Sequence, residues 1–533
     1  MNGKEITAES VWKEYTAGED YFTQIKHHET IKENERFFNG DQWKGVNAPD
    51  IQQPVINVFH PAIAYYTAQL VSDDVGIDIE PFCETEERAR ECRILSDEID
   101  RIIERTKAKS KSREIVRDAA VDKAGIFYFY FDPNIGKEGE IEIEVFDNDK
   151  FIVANPFERE LQKQKYIILI KRMKVCDARE RAKELGASEA DITSIQPDSA
   201  YNYSGENKDV EQGLCTVIMR FWKESGRVWF CESAQSAMLK RPTETMQRFY
   251  PVAYFGWEKT KDSFYGAAAM TPYIPNQRFI NKMWAMAGAF CERMAFPTRF
   301  YDSTKLKGIM TNKAGQAIGI AGAPRDAVWV DSPAGNFSDQ VIMLIEKTQE
   351  YIKNSMGITD AALGNMKIDN ASAIIALAEQ SRAPLEMQKL GFHQFWEDSV
   401  NVIIGLICEF EKVKTISEKV TDEEGNEVKI ETEFDFSAID QEELSLNVNI
   451  GDATRWSEIT AIQTADALFQ KGIIPDAITY LESLPKGYVR NETEIIKRLE
   501  EQKAMQEQLL MAQQAAPAAD PTAALPIDEG GTV

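Results

Sequence analysis

The residues able to do covalent or metal chemistry are few and poorly placed for it. The chain has 4 histidines and 7 cysteines in 533 residues. His27 and His28 are neighbours, whereas a helix-borne metal pair needs i, i+4 spacing and a third ligand in reach. Both are therefore expected on a helix face or at the surface. His60, before Pro61, and His393, between Phe392 and Phe395, are expected at packed helix positions. The cysteines are odd in number and scattered without a CxxC, which fits reduced thiols and not a disulfide framework. Residues 135–139 read IGKEG but lack the spaced first glycine and the Ser/Thr of a phosphate-binding loop. Residues 319–324 read GIAGAP, without full GxGxxG spacing or a following helix, and no GxSxG occurs. The acidic run TDEEGNE, with Asp422 and Glu423, could hold a divalent ion, but carboxylates at a hairpin turn ordinarily form a solvated edge. No catalytic residue, no metal and no cofactor is expected.

Charge is the next possible source of function. With 61 basic and 87 acidic side chains the formal charge is −26. Such acidity opposes broad wrapping of nucleic acid, whose affinity comes from phosphate neutralisation. Two stretches run against it. Residues 105–117 carry six basic side chains and one acidic. The 297–325 segment carries Arg299, Lys305, Lys307, Lys313 and Arg325 against Asp302. Each reads either as a solvated charged face or as a docking patch for an acidic partner or nucleic acid. No apolar run approaches the ~18 residues of a membrane span, and the N-terminus lacks the apolar core of a signal peptide.

The length calls for two to four structural units. Residues 7–38 read as helix, broken near Gly18, with Phe22, Ile25, His28 and Ile31 on one buried face. Residues 37–54 form a polar loop with an exposed-looking Trp43, followed by a short helix with Pro61 in its first turn. A strand at 76–82 precedes charged helices over 84–124. A β-rich stretch follows, including IFYFYFD, EIEIEVFD, KYIILIKRM, LCTVIMRFWKE, GRVWFCES and PVAYFGW. A polar, aperiodic loop is expected over 188–213. A helix begins near Pro275, and 297–333 is Gly-rich with short apolar runs. Residues 337–410 read as helix, loop, helix. The first helix has Val341, Leu344, Ile345, Thr348 and Ile352 on its apolar face, Ser338 as N-cap and Gly357 at its C-terminus. The second opens at Ser372 and runs about ten turns, kinked at Pro384. Two strands flank residues 425–426, a further strand covers ELSLNVNIG, residues 455–511 return to helix, and 512–533 form an Ala/Pro-rich tail without a core.

Several of these stretches, in this order, resemble the portal (head–tail connector) proteins of tailed double-stranded DNA bacteriophages. Phe38-Asn39-Gly40-Asp41-Gln42-Trp43 is similar to a motif near portal N-termini, and Asn57 with the Pro61 helix is similar to the step after it. Ser263-Phe264-Tyr265-Gly266, then Gln277 and Ile280-Asn281, resembles the approach to a portal's first stem helix. Gly357-Ile358-Thr359-Asp360, then Leu363-Gly364 and Ser372-Ala373, resembles the turn after its second. The likeness spans roughly 30–410.

The resemblance implies an α+β protomer with a mainly helical stem and crown, a mixed α/β wing and a small α/β clip, assembling into a ring of twelve. Carried onto this chain, residues 1–265 form the wing, 266–296 the first stem helix, 297–335 the clip and 336–356 the second stem helix. Residues 357–371 form a tunnel loop, 372–454 a kinked long helix with returning wing strands, 455–511 the crown, and 512–533 a disordered tail. It implies a non-enzymatic channel at one capsid vertex of the virion, assembled in the bacterial cytoplasm. Double-stranded DNA is packaged through it by terminase and later ejected. The implied partners are copies of itself, the terminase large subunit, major capsid and scaffolding proteins, and a head–tail adaptor or tail protein. Asn365, Lys367, Asp369 and Asn370 fall in the tunnel loop, with Lys367 expected to touch phosphate. Arg299, Lys305, Lys307, Lys313 and Arg325 fall in the clip, facing terminase or adaptor. The competing readings are another non-enzymatic head–tail or internal capsid assembly protein, and a carboxylate–metal nuclease using Asp422 or Glu423.

Overall fold

The computed structural model describes residues 6–48, 51–71, 75–81, 86–136, 139–198, 213–295, 298–302, 304–305, 320–323, 328–331, 339–358, 383–411, 413–421, 427–439 and 444–450, with 465, 468–469, 471 and 480–481 beyond them. The chain divides into two units, 1–450 and 451–533. In the second, the described residues include a buried Ala465 and a Phe469–Tyr480 ring contact at 4.8 Å.

The N-terminal stretch is two helices, α1 (Ala8–Gln24) and α2 (His27–Phe38). Thr7 caps α1 through a reciprocal pair with Ser10. The break falls at Lys26, which takes a left-handed φ of 52°, and not at Gly18. Gly18 lies inside α1, where a Cβ would come 2.4 Å from the Ile152 side chain, so packing accounts for the glycine. The break shifts the helical phase, so the expected single face fails: Phe22 and Ile31 are buried, Ile25 is exposed, and His27 is buried in place of His28.

After α3 (Phe59–Leu70), strand β1 (Val75–Pro81) leads to α4 (Glu86–Arg105) and α5 (Ala108–Asp122). Strands β2 (Ala124–Asp132) and β3 (Glu140–Phe146) form a hairpin, and β9 (Val252–Gly256) completes an antiparallel sheet in the order β3-β2-β9. A second antiparallel sheet runs in sequence order through β4 (Phe151–Val153), β5 (Tyr166–Lys174), β6 (Leu214–Glu224), β7 (Arg227–Ser233) and β8 (Met238–Glu244). Strand β8 was not anticipated, because its LKRPTE stretch lacks clear alternation. Two short helices, α6 (Val175–Glu184) and α7 (Glu189–Ser194), follow β5. The second occupies part of the expected polar loop, of which 199–212 lie outside the described residues.

The β2 run IFYFYFD does not alternate with polar residues because both of its faces are covered. Phe127 and Phe129 enter one core with α4 and α5, while Ile126 and Tyr128 enter another against the five-stranded sheet. The first core closes on α10 (Glu386–Phe410), whose Phe392, Phe395 and Trp396 pack on Phe127 and Phe255. Burying side chains of this size contributes about 1.5–3 kcal/mol each. Pro384 is not within the regular length of this helix. It sits in a 3-10 turn, Ala383–Leu385, just before α10, where it removes no helical hydrogen bond. The residues expected to form the preceding turns, up to 382, lie outside those described.

The strands expected around residues 425–426 are an antiparallel pair, β12 (Val413–Thr421) and β13 (Glu427–Asp435). Strand β14 (Leu444–Ile450) pairs with β1, from Ile450 opposite Val75 to Leu444 opposite Pro81. Asp422 and Glu423 lie outside the described residues.

Gly125 is held against α5, since a Cβ would meet the Ile115 carbonyl oxygen at 2.4 Å. Gly288 has open space around it in the middle of a helix. Gly125→Ala should therefore cost about 1–3 kcal/mol, while Gly288→Ala should gain about 1 kcal/mol. Urea titration of the two variants checks the opposite signs.

Candidate functional site: an anchored two-helix strut

Helix α8 (Ile274–Ala295, 22 residues) rises ~33 Å at ~1.5 Å per residue. An antiparallel strand pair follows, the hairpin of β10 (Thr298–Tyr301) and β11 (Val328–Asp331), with Thr298 opposite Asp331 and residues 302–327 between them. Helix α9 (Asp339–Ser355) then runs back against α8. Its C-terminal end lies beside the start of α8, because Tyr273 donates its hydroxyl to the Ser355 carbonyl at 3.1 Å. The chain thus makes an antiparallel helix pair tipped by a hairpin.

The root of α8 is fixed by a buried amide network. Gln277 is fully buried and Asn281 nearly so, although both are polar residues on a helix. The Gln277 side-chain nitrogen donates to the Ile56 carbonyl at 2.6 Å and to Asn281 Oδ1 at 3.0 Å. Asn281 Nδ2 donates to Gln42 Oε1 at 2.6 Å, and Gln42 Nε2 donates to the Phe37 carbonyl at 2.9 Å. Asn57 Nδ2 reaches the Phe38 carbonyl at 2.7 Å, while its Oδ1 accepts from the backbone N–H groups of Phe59 and His60 at the start of α3. One turn before α8, Asn34 donates to the Val121 carbonyl at 2.7 Å and to the Thr271 hydroxyl at 2.9 Å. Residues singled out in three separate stretches of sequence therefore meet at one place: Gln42, Asn57, and Gln277 with Asn281. Trp43, expected at the surface, is half-buried and donates Nε1–H to the Pro54 carbonyl at 2.9 Å.

The end of α9 is fixed by backbone geometry. Gly357 has φ +73°; its N–H bonds Asn354 O at 3.0 Å, and Ile358 N–H bonds Lys353 O at 2.8 Å. This is a Schellman closure, which satisfies two carbonyls the helix leaves open. Tyr66 donates to a third, at Met356, at 2.5 Å. A Cβ at Gly357 would lie 2.8 Å from Pro384, so the 3-10 turn before α10 packs on this cap. Thr359 onward to residue 382, including Asn365, Lys367, Asp369 and Asn370, lies outside the described residues.

Beyond its root the strut presents apolar side chains outward. Trp284, Met286 and Met294 on α8, and Ile342, Met343, Leu344 and Tyr351 on α9, are each at least 40% exposed. Leu344, expected inside, is among them; Ile345 and Ile352 alone face the core from α9 as buried residues. The signal was present in the sequence, because the run from Val341 to Ile345 is wider than one buried face requires.

The basic stretches are less available than their composition implies. Arg105 pairs with Glu140 and Glu142 at 2.6 and 2.7 Å, and Lys111 donates to the Ile143 carbonyl at 2.6 Å. Arg117 is bound by Glu35 at 2.6 Å and Asp118 at 2.8 Å. These three side chains secure α5 to the body, while Lys107, Lys109 and Arg113 are exposed, so half of the stretch is internal pairing and half a charged face. In the other stretch, Arg299 stands opposite Val330 in the hairpin, and Lys305 lies 3.5 Å from Asp302. Lys307, Lys313 and Arg325 fall outside the described residues.

His27 corrects the surface reading: it is fully buried, stacked on Phe22 at 4.4 Å. Burial, then the charge of Lys123, lowers its pKa to about 3, so it stays neutral. His28 pairs with Glu19 at 2.9 Å. His60 lies at the surface, stacked on Phe38, and His393 is half-buried on α10. Among the described residues no group of three or more His, Cys, Asp or Glu could hold a metal, and no helix is long and apolar enough to cross a membrane.

No protein-family model matches this chain, and no curated protein matches it.

Asn281→Leu should strand the Gln42 and Gln277 amides and cost about 2–5 kcal/mol, read by urea titration; an unchanged midpoint would show that the network carries no strain on loss. Burial, reinforced by Glu35 and Asp118, raises the Asp122 carboxyl to about 8. The folded state then holds a proton that the unfolded state releases above the ordinary carboxylate range near ~4. Stability from this group is present at low pH and declines as pH rises toward 8. Subtracting the pH–stability curve of Asp122→Asn from that of the parent chain should reveal this slope.

Proposed function

We propose that this chain is the portal protein of a tailed double-stranded DNA bacteriophage: a ring-forming, non-enzymatic conduit at one capsid vertex. The observation that carries the reading is the strut. Two antiparallel helices leave a packed α+β body, are tipped by a small hairpin, and expose large apolar side chains on both members. Scattered exposed apolar residues are ordinary on a monomer. Seven of them among the described residues, at 40% exposure or more on one helix pair, ask for cover, and a neighbouring copy supplies it when subunits close into a ring. The convergence of Gln42, Asn57, Gln277 and Asn281 supports the same reading, because the stretches that resemble portal sequences are the ones that root the strut.

In this reading α8 and α9 are the stem and the β10–β11 hairpin belongs to the clip, which meets terminase and later the adaptor or tail. Capsid and scaffolding proteins contact the outer body, and the place of action is the virion. A net charge of −26 per copy lets DNA pass without deep binding minima, since carboxylates repel phosphate. The runner-up reading, another non-enzymatic head–tail or internal capsid assembly protein, shares the helix pair but requires no axial hole.

Negative-stain electron microscopy of the purified chain should show rings of about twelve subunits with a central channel. Trp284→Glu combined with Leu344→Glu should give dispersed subunits with an unchanged circular dichroism spectrum. A monomeric parent chain, or a closed shell, would overturn the portal reading.

A further inference from the structure

A cavity of about 440 Å³ opens on the first unit between β9, the loop after it, the 159–162 turn and α10. Its wall is aromatic: Tyr254, Phe255, Phe264 and Phe395 line it. Three glycines keep it open. Gly391 is a helical residue whose Cβ would touch Phe255 at 3.4 Å, Gly266 has φ +63° and lies against the Glu258 carbonyl, and Gly256 faces the Tyr254 ring.

Asp398 lines this aromatic cavity and is only partly exposed. Its described hydrogen bond is from Gln394 Nε2 at 3.2 Å, one turn earlier on α10. Among the described residues no cation lies within ion-pair distance of it. Burial is the main cause holding its carboxyl above the ordinary range; Glu397 adds to this, while the Gln394 amide and Lys259 oppose it. A second carboxylate, Glu258, lines the cavity from its exposed rim, without a described ion pair. The remaining charged groups are at the rim: Arg159 and Lys259 are exposed, and Glu160 is paired with Lys163 at 2.7 Å. Nothing in the packing of the fold requires a carboxylate against an aromatic wall, and a half-buried charge without an ion-pair partner is costly.

We propose that this cavity binds an aliphatic diamine, with one ammonium on the Asp398 carboxylate, the methylene stem along the aromatic wall and the other ammonium toward Glu258. An ammonium brings a counter-charge to contact distance of Asp398, which the rim cations do not reach, and donates up to three hydrogen bonds. The aromatic faces attract a cation as well as an alkyl stem. The volume is within the range of small-molecule sites.

The test is calorimetric titration of the full chain with 1,4-diaminobutane at about 0.15 M salt, which screens loose attraction to the acidic surface. One saturable site per chain is expected. Asp398→Asn, nearly isosteric, should weaken binding by more than about tenfold. Gln394→Arg, at an exposed helix position, should do the same by placing a guanidinium one turn from Asp398. Glu9→Gln, an exposed acid on α1, should change nothing. Affinity should fall from pH 8 to pH 5 as protons compete for Asp398, and 1-aminobutane should bind more weakly than the diamine. Absence of a saturable site, or equal affinity in Asp398→Asn and Gln394→Arg, would overturn the site. Equal affinity for 1-aminobutane would overturn its two-ended arrangement. If Asp398→Asn fails to fold by circular dichroism, Gln394→Arg decides alone.

Discussion

Everything that projects from this protein depends on a few side-chain amides that are kept from water. Gln277 and Asn281 enter the interior as polar groups, and leaving either unmatched would cost about 1–3 kcal/mol. Their hydrogen bonds are directional, so they fix the rotation of α8 as well as its position. An apolar contact of the same area would hold the helix but tolerate slippage. Trp284 lies seven residues beyond Gln277, on the same helical stripe. At the root that stripe is buried against the body; at Trp284 it is 40% exposed. The amides therefore set which side of α8 is buried and which residues beyond the root face solvent. The Schellman closure at Gly357 and the tyrosine hydroxyls of Tyr66 and Tyr273 do the same for the returning helix.

The body has to be rigid for that geometry to matter, and its rigidity comes from shared layers. Strand β2 serves two cores at once, and α10 packs aromatic rings onto β2 and β9. Helix α1 is tied to the five-stranded sheet by Arg220, which binds Glu14 at 2.5 Å and stacks on Tyr166 and Trp222. The acidic chain uses its scarce cations in this way. Arg105, Arg117 and Arg220 each bind carboxylates within the fold, so part of the local basic composition is taken up by internal pairing.

Much of the architecture could be read from local pattern, because local pattern is what makes a helix or strand. The apolar spacing of α4 and α5, the alternation of β3, the two strands around residues 425–426 and the glycine at the end of α9 all express geometry within a few residues. The residues of the amide network were also visible as types, through the stretches that resemble portal proteins. Their meeting was not visible, because Gln42 and Asn281 are 239 positions apart and hydrogen bonding leaves no periodic trace.

Sequence by itself determined most of the helices and strands, their order, the acidity of the chain and the glycine that closes α9, since these follow from backbone sterics and side-chain chemistry that act locally. Tertiary structure alone decided which of two adjacent histidines is buried, because a left-handed Lys26 resets the helical phase. It decided that Gly18 serves packing and not a break, that Pro384 sits ahead of α10, and that β1 finds its partner in β14. It also decided that Leu344 faces outward, since a helix pattern says which residues share a face but not where the body beneath that face ends.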